Sequence, residues 1–164
     1  YGGQVCFQAT DVLPGTVGGQ YGWWKVCEGK VNFDDDVCEN AYGWWKITTG
    51  KVDFQYTGLA QNACGWWMIQ NGHVNFGSNG LVDNGNGWWL VKNGCVDFTY
   101  NGLVDNGNGW WLIRNGYVDF NYNGLVDNGN GWWLVKNGCV DFSYQGYVQN
   151  ECGVWWVSNG QVQF

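Results

Sequence analysis

One proline, one methionine and one histidine occur in 164 residues, Lys and Arg together number seven, and no run of apolar residues is long. Each shortage excludes something. The lone His73 has no repeated or neighbouring nucleophile, which leaves no triad for covalent catalysis. No Asp or Glu stands apart from its surroundings as the asymmetric acid/base pair of a glycosidase would. Without CxxC pairs or further histidines, the seven cysteines lack zinc-ligand spacing. Seven cations against 14 acids, a net charge of -7, exclude a nucleic-acid binder that neutralises phosphates with Lys and Arg. A membrane span needs roughly 18 or more consecutive apolar residues, and none is present. There is no start Met, basic n-region or signal peptide, so the chain reads as a mature or excised piece.

What remains is aromatic and glycine-rich: 28 Gly, 14 Trp, 9 Tyr and 8 Phe. So many large rings offset the chain entropy that keeps polar sequences unfolded. They are also periodic. NGLVDNGNGWWLVKNGCVDF occurs unchanged at 79–98 and 123–142, and Gly-Trp-Trp segments begin at Gly22, Gly43, Gly65, Gly87, Gly109 and Gly131. A seventh unit begins at Gly153, with Val154 in place of the first Trp. A catalytic site is needed once, whereas a surface that grips a repetitive ligand, or stacks on itself, needs the same element many times. A fixed period near 22 residues signals an array in which each unit buries its apolar surface on its neighbours. The expected organisation is residues 1–21 as an orphan hairpin arm (YGGQVCF) and an irregular loop holding the only proline, then residues 22–164 as a repeat solenoid.

Within a unit, WWLVKNGCVDF places two β-prone runs around Asn93-Gly94, the dipeptide that suits a type I′ hairpin turn. No helical period is present, so the fold class is all-β: a β-hairpin solenoid of about seven 22-residue Gly-Trp-Trp repeats. Strand alternation predicts Trp89, Val91, Val96 and Phe98 on one, core, face, and Trp88, Leu90 and Asp97 on the other. The last repeat keeps Trp155, Val157, Val162 and Phe164 while giving up the outward Trp, as that division expects.

The outward series Trp23, Trp44, Trp66, Trp88, Trp110 and Trp132 either packs between successive hairpins or stacks a ligand, and the two roles coexist if each ring is partly covered. Tyr100, Tyr122 and Tyr144 are candidates to join those tryptophans in ligand binding. Asp83, Asp105 and Asp127 suit calcium less than turn chemistry, since one carboxylate per loop is few. Asp53, Asp97, Asp119 and Asp141 read as a solvated ladder beside Lys or Arg. No metal or cofactor is expected. The Gly/Asn/Trp-rich repeat makes disulfides plausible, with Cys27–Cys38 and Cys139–Cys152 as local possibilities. Cys95 and Cys139, at hairpin tips, are expected to be exposed and placed to link chains.

The order NG-L-V-D-N-G-N-G-W-W-L-V-K-N-G resembles the cell-wall-binding repeat superfamily of Gram-positive surface proteins, which includes choline-binding repeats, glucan-binding repeats and clostridial toxin repeats. The resemblance covers Tyr21 to Phe164. It implies a hairpin solenoid, an extracellular or cell-surface location, and attachment to cell-wall polymers or other glycans. In choline-binding members the cage includes a Trp after the turn Gly; here those positions hold Leu59, Leu81, Leu103, Leu125 and Tyr147, which points away from choline. The reading is an extracellular, non-catalytic repeat module that binds cell-wall polymer or another glycan through aromatic faces. The alternative is a structural protein whose copies join end to end into a filament or surface layer.

Overall fold

A computed structural model describes residues 8–164; the predicted orphan arm, with Cys6, lies outside the described residues. All regular structure among them is β, with antiparallel pairing throughout. The chain forms two compact parts, Tyr1–Asn79 with Val91–Val96, and Gly80–Leu90 with Asp97–Phe164.

In the second part, each Trp-Trp segment is the middle of three strands. Gly102–Asp105 leads into Trp110–Arg114, which turns back into Tyr117–Val118. The leading pair is in register through Leu103↔Leu112, Val104↔Trp111 and Asp105↔Trp110, and the return pair through Ile113↔Val118 and Arg114↔Tyr117. Asn115 (φ 50°) and Gly116 (φ 76°) make the turn between them, the double positive φ that a type I′ hairpin requires. The predicted hairpin is therefore present, and the segment before it, expected as a turn with a short Leu-Val piece, is a third strand.

The return strand has a second partner, which links one repeat to the next. Cys139 of the following repeat pairs with Trp111, and Leu112 N donates to Gly138 O at 2.8 Å. The first part repeats this arrangement, with Trp45↔His73 and Lys46 N to Gly72 O at 2.8 Å. The approach is close enough to demand glycine: a Cβ on Gly138, already at φ 77°, would strike the carbonyl of Asp119 and the Cα of Phe120.

Stacking on both sides overturns the one-core-face expectation. Leu90 and Val91 point to opposite faces yet are both buried, at 3% and 0% exposure. One face of a repeat packs forward and the other backward: Trp110 and Leu112 meet Trp133, Val135 and Val140 of the next repeat. The Phe series is also not core. Phe98 and Phe142 are exposed, as are Phe33, Phe54, Phe76 and Phe164. The return strand is only two residues long, and the next residue turns the chain aside: Asp141 Oδ1 accepts from Ser143 N at 3.1 Å, an Asx turn that swings Phe142 out beside Trp133.

The expected irregular loop is likewise corrected. Asp11–Val17 is a strand, paired along its length with Gln20–Cys27 from Asp11↔Val26 to Val17↔Gln20. Among the described residues this strand has one paired neighbour, and Pro14 is tolerated because its missing N–H falls on the side away from it. The hairpin-tip cysteines also sit differently from the expectation. Cys95 and Cys139 are half-buried, because the return strand lies between two Trp strands, and a Cβ on Gly109 would come to 3.1 Å from Cys139 Sγ. Cys64 and Cys152 are the exposed thiols, and all six described cysteines are thiols, the two suggested local pairs included.

Candidate aromatic sites between repeats

The forward Trp of one repeat meets the second Trp and the Phe of the next. At three junctions the indoles are in contact: Trp44–Trp67 at 5.1 Å, Trp88–Trp111 at 5.4 Å and Trp110–Trp133 at 4.9 Å between ring centroids. Phe76, Phe120 and Phe142 close these edge-on against the forward Trp. These junctions are adhesive contacts, each ring pair adding about 0.5–1.5 kcal/mol beyond area burial.

Two junctions are open. Trp23 and Trp45 are not in ring contact, and a cavity of about 230 Å³ between them is lined by Asn40, Tyr42, Val52 and Phe54 as well. Trp132 and Trp155 stand apart around a cavity of about 240 Å³, completed by Leu125, Asn150, Cys152, Val162 and Phe164. Apart from Leu125, which lines the second cavity only, the linings correspond position by position, with Cys152 where the first cavity has Tyr42, so the same repeat geometry produces both.

Asparagine holds the second Trp of each open site. Asn40 Oδ1 accepts from Trp45 Nε1 at 2.9 Å and from Tyr42 N at 2.9 Å, while its Nδ2 donates to Val12 O at 3.1 Å. Asn150 Oδ1 accepts in the same way from Trp155 Nε1 and Cys152 N, both at 2.9 Å. The indole N–H and the Asn oxygen at each cavity floor are thus bonded to one another, and most of what faces the cavities is aromatic and aliphatic carbon. Such walls suit a group that needs no hydrogen bonds, and ring faces attract cations.

In the DNGN repeats the loop takes another path. Asp105 Oδ1 accepts from Gly107 N at 2.8 Å and Asn106 Oδ1 from Asn108 N at 3.0 Å, two successive Asx turns. Asp83 and Asp127 bond Gly85 N and Gly129 N identically, so these carboxylates shape turns. The Asn oxygen is drawn away from the indole, and Trp89, Trp111 and Trp133 Nε1 are buried without a partner. Asn62 Oδ1 holds Trp67 Nε1 at 2.9 Å in the same way although Trp44 and Trp67 are in contact, so Asn-x-x-Gly against Asp-Asn-Gly-Asn-Gly is a sequence signal for which indole N–H is bonded and not for which junction is open.

Of the nominated residues, Trp23 and Trp132 line the open cavities, whereas Trp44, Trp88 and Trp110 are in ring contacts and Trp66 is half-buried in Gly65–Gln70. Tyr100, Tyr122 and Tyr144 line neither cavity. Their hydroxyls donate to Leu103, Leu125 and Tyr147 carbonyls, and Arg114 and Lys136 lie over the Tyr122 and Tyr144 rings at 4.4 and 4.3 Å. Leu59 and Leu125, at positions where the family resemblance implies a cage Trp, are buried.

The ionic groups serve the scaffold. Asp119 pairs with Arg114 at 3.2 Å and Asp141 with Lys136 at 2.8 Å; the Lys136 and Ser143 hydrogen bonds hold the Asp141 carboxyl below its usual range. In the first part, Lys25 Nζ meets Asp36 Oδ2 at 2.7 Å and Cys38 Sγ lies 3.4 Å from the same oxygen. Burial, reinforced by that carboxylate, pushes the Cys38 thiol up to about 12. His73 packs edge-on against Trp45 at 4.9 Å. Among the described residues, no three His, Cys, Asp or Glu side chains converge as a metal site.

A search of curated protein sequences finds no match to the chain. Among solved structures it is similar to CbpJ from Streptococcus pneumoniae TIGR4, at 16% identity and TM-score 0.38, covering 88% of this chain and 50% of that one. It is similar also to choline binding protein F from Streptococcus pneumoniae, at 19% identity and TM-score 0.38, covering 92% of this chain and 48% of that one. A third, alternansucrase in complex with isomaltononaose, has 12% identity and TM-score 0.36, with 94% of this chain and 13% of that one covered. The chain therefore spans about half the length of the two pneumococcal proteins. The choline-binding repeat model matches residues 55–75, 77–97, 99–119 and 121–141, together half of the sequence. The chain belongs to the choline-binding repeat family.

Proposed function

We propose that this chain is a non-catalytic cell-surface module that holds a cell-wall polymer by its quaternary ammonium substituents, one in each open cavity. The observation that carries this is the pair of equivalent aromatic cavities at Trp23/Trp45/Phe54 and Trp132/Trp155/Phe164, where the indole N–H and the Asn oxygen of each floor are bonded to one another. Sugar hydroxyls would find few partners on such walls, whereas a methylated cation needs none. A net charge of -7 favours a cationic guest. The second Trp and the Phe serve as the cage wall that Leu59, Leu81, Leu103 and Leu125 do not provide. Membership of the choline-binding repeat family supports the same class of ligand.

Calorimetry with choline chloride tests the reading. Two sites are expected, one lost in Trp23→Ala, the other in Trp132→Ala, and both in the double variant. Phe54→Ala and Phe164→Ala, at exposed positions, keep the fold and weaken the same two sites. A folded parent chain that ignores choline yet binds an uncharged glycan would overturn the proposal.

A further inference from the structure

Fourteen Asn-Gly pairs occur in the chain. Asparagine before glycine is the pair most open to self-modification, because no side chain shields the glycine nitrogen from the asparagine amide carbon. The structure sorts the pairs by whether these two groups are held. In the hairpin turns the glycine nitrogen is tied to the preceding repeat: Gly94, Gly116 and Gly138 N donate to the carbonyls of Ser78, Tyr100 and Tyr122 at 2.9, 3.0 and 3.0 Å. Gly72 and Gly160 are held alike. In the pairs that open a leading strand, the asparagine amide is fixed at both ends. Asn101 Oδ1 accepts from Asn115 N at 3.0 Å and its Nδ2 donates to Thr99 O at 3.1 Å, with Asn79 and Asn123 bonded in the same pattern.

Each Asp-Asn-Gly-Asn-Gly loop contains two more pairs, and they differ. The first is locked: Asp105 Oδ1 takes the Gly107 N–H at 2.8 Å, and Asn106 Oδ1 takes the Asn108 N–H at 3.0 Å. The loops at Asp83 and Asp127 repeat both bonds. The second pair is loose. Among the described residues, the side chains of Asn86, Asn108 and Asn130 and the N–H groups of Gly87, Gly109 and Gly131 make no hydrogen bond, and all three asparagines are exposed.

We propose that Asn86, Asn108 and Asn130 are sites of spontaneous deamidation, in which the loop supplies the nucleophile and water is the co-reactant. The Gly109 nitrogen attacks the side-chain carbonyl carbon of Asn108. A C–N bond forms there, the bond from that carbon to the amide nitrogen breaks, and ammonia leaves with the proton from Gly109. Water then opens the five-membered imide, at the side-chain carbonyl to give Asp or at the main-chain carbonyl to give isoaspartate, with no change of oxidation state. Each event puts a carboxylate in place of a neutral amide, in a loop that already carries Asp83, Asp105 or Asp127. Three such events take the net charge from -7 to -10. The isoaspartyl product also adds a methylene to the main chain inside the loop, where Asn106 N donates to Gly109 O at 3.2 Å across the reacting peptide.

Incubation of residues 1–164 in reductant at pH 8, in water enriched in heavy oxygen and followed by peptide mass mapping, is the test. Label is expected first at Asn86, Asn108 and Asn130, about tenfold or more ahead of Asn93, Asn115 and Asn137, which react only through local opening. In urea the ranking collapses, since the unfolded chain offers the same Asn-Gly chemistry at every pair. Asn108→Ser, at an exposed position, keeps the fold and shows two acidic steps on ion exchange where the parent shows three. Equal rates at hairpin and loop asparagines in the folded chain would overturn the proposal. So would a folded chain that stays unlabelled at the three loop sites.

Discussion

Trp155 and Trp133 occupy the same place in consecutive repeats of the second part but differ in one bond. Trp155 Nε1 donates to Asn150 Oδ1 at 2.9 Å, and Trp133 Nε1 is buried with no acceptor. Changing either to Phe removes the same indole atoms, so the transfer and cavity terms largely cancel in the difference. What remains is polar. Trp155→Phe gives up a hydrogen bond with a net worth of about 0.5–1.5 kcal/mol, whereas Trp133→Phe removes an unsatisfied donor whose burial costs about 1–3 kcal/mol. The two variants therefore differ by roughly 2–4 kcal/mol. At about 2–4 °C per kcal/mol for a chain of this size, Trp155→Phe melts roughly 4–16 °C below Trp133→Phe. The cavity beside Trp155 makes its truncation the gentler one sterically, which works against the predicted order. Circular dichroism melts in reductant measure it, with Trp111→Phe as a replicate expected to match Trp133→Phe. Equal midpoints, or the reverse order, would refute the account of the two loop types.

Gly138→Ala and Gly129→Ala have similar backbone angles, φ 77° and 83°, but only the first puts a Cβ against a neighbouring repeat. Urea unfolding should show about 1 kcal/mol lost at 129, the ordinary left-handed penalty, and at least twice that at 138. With a thiol reagent at pH 8, Cys64 and Cys152 react first among the described cysteines and Cys38 lags by orders of magnitude, as mass-mapped labelling would show. The Asp36 carboxyl is pushed up by burial, but the Lys25 hydrogen bond and the Val37 N–H outweigh this and hold it below 3.8. A depressed carboxyl stabilises the fold above its unfolded pKa and loses that contribution as pH falls through the lower folded value. Asp36→Asn should therefore flatten stability against pH below about 4, measured by urea titration at stepped pH.

Much of the local structure was legible. Asn-Gly between β-prone runs placed the hairpin turns, because few dipeptides accept two positive φ angles. The period identified the repeat, and Val91 and Val96 were read as buried partners. Phe98 was misplaced because alternation was continued past a strand that ends after two residues, where an Asx turn redirects the chain. Leu90 was misplaced because a single sheet face was assumed, whereas a stacked repeat has protein on both sides. Trp23 and Trp132 were nominated with four equivalent tryptophans, and no feature of the sequence separates them: whether a ring faces a cavity or another indole depends on the next repeat.

By itself the sequence determined an all-β chain of stacked Gly-Trp-Trp hairpins, since turn chemistry and strand period are local properties carried by neighbouring residues. Tertiary structure alone decided which junctions are shut by touching indoles and which remain open. Those outcomes depend on side chains about 20 residues apart meeting across a junction, a distance over which residue spacing carries no geometric information.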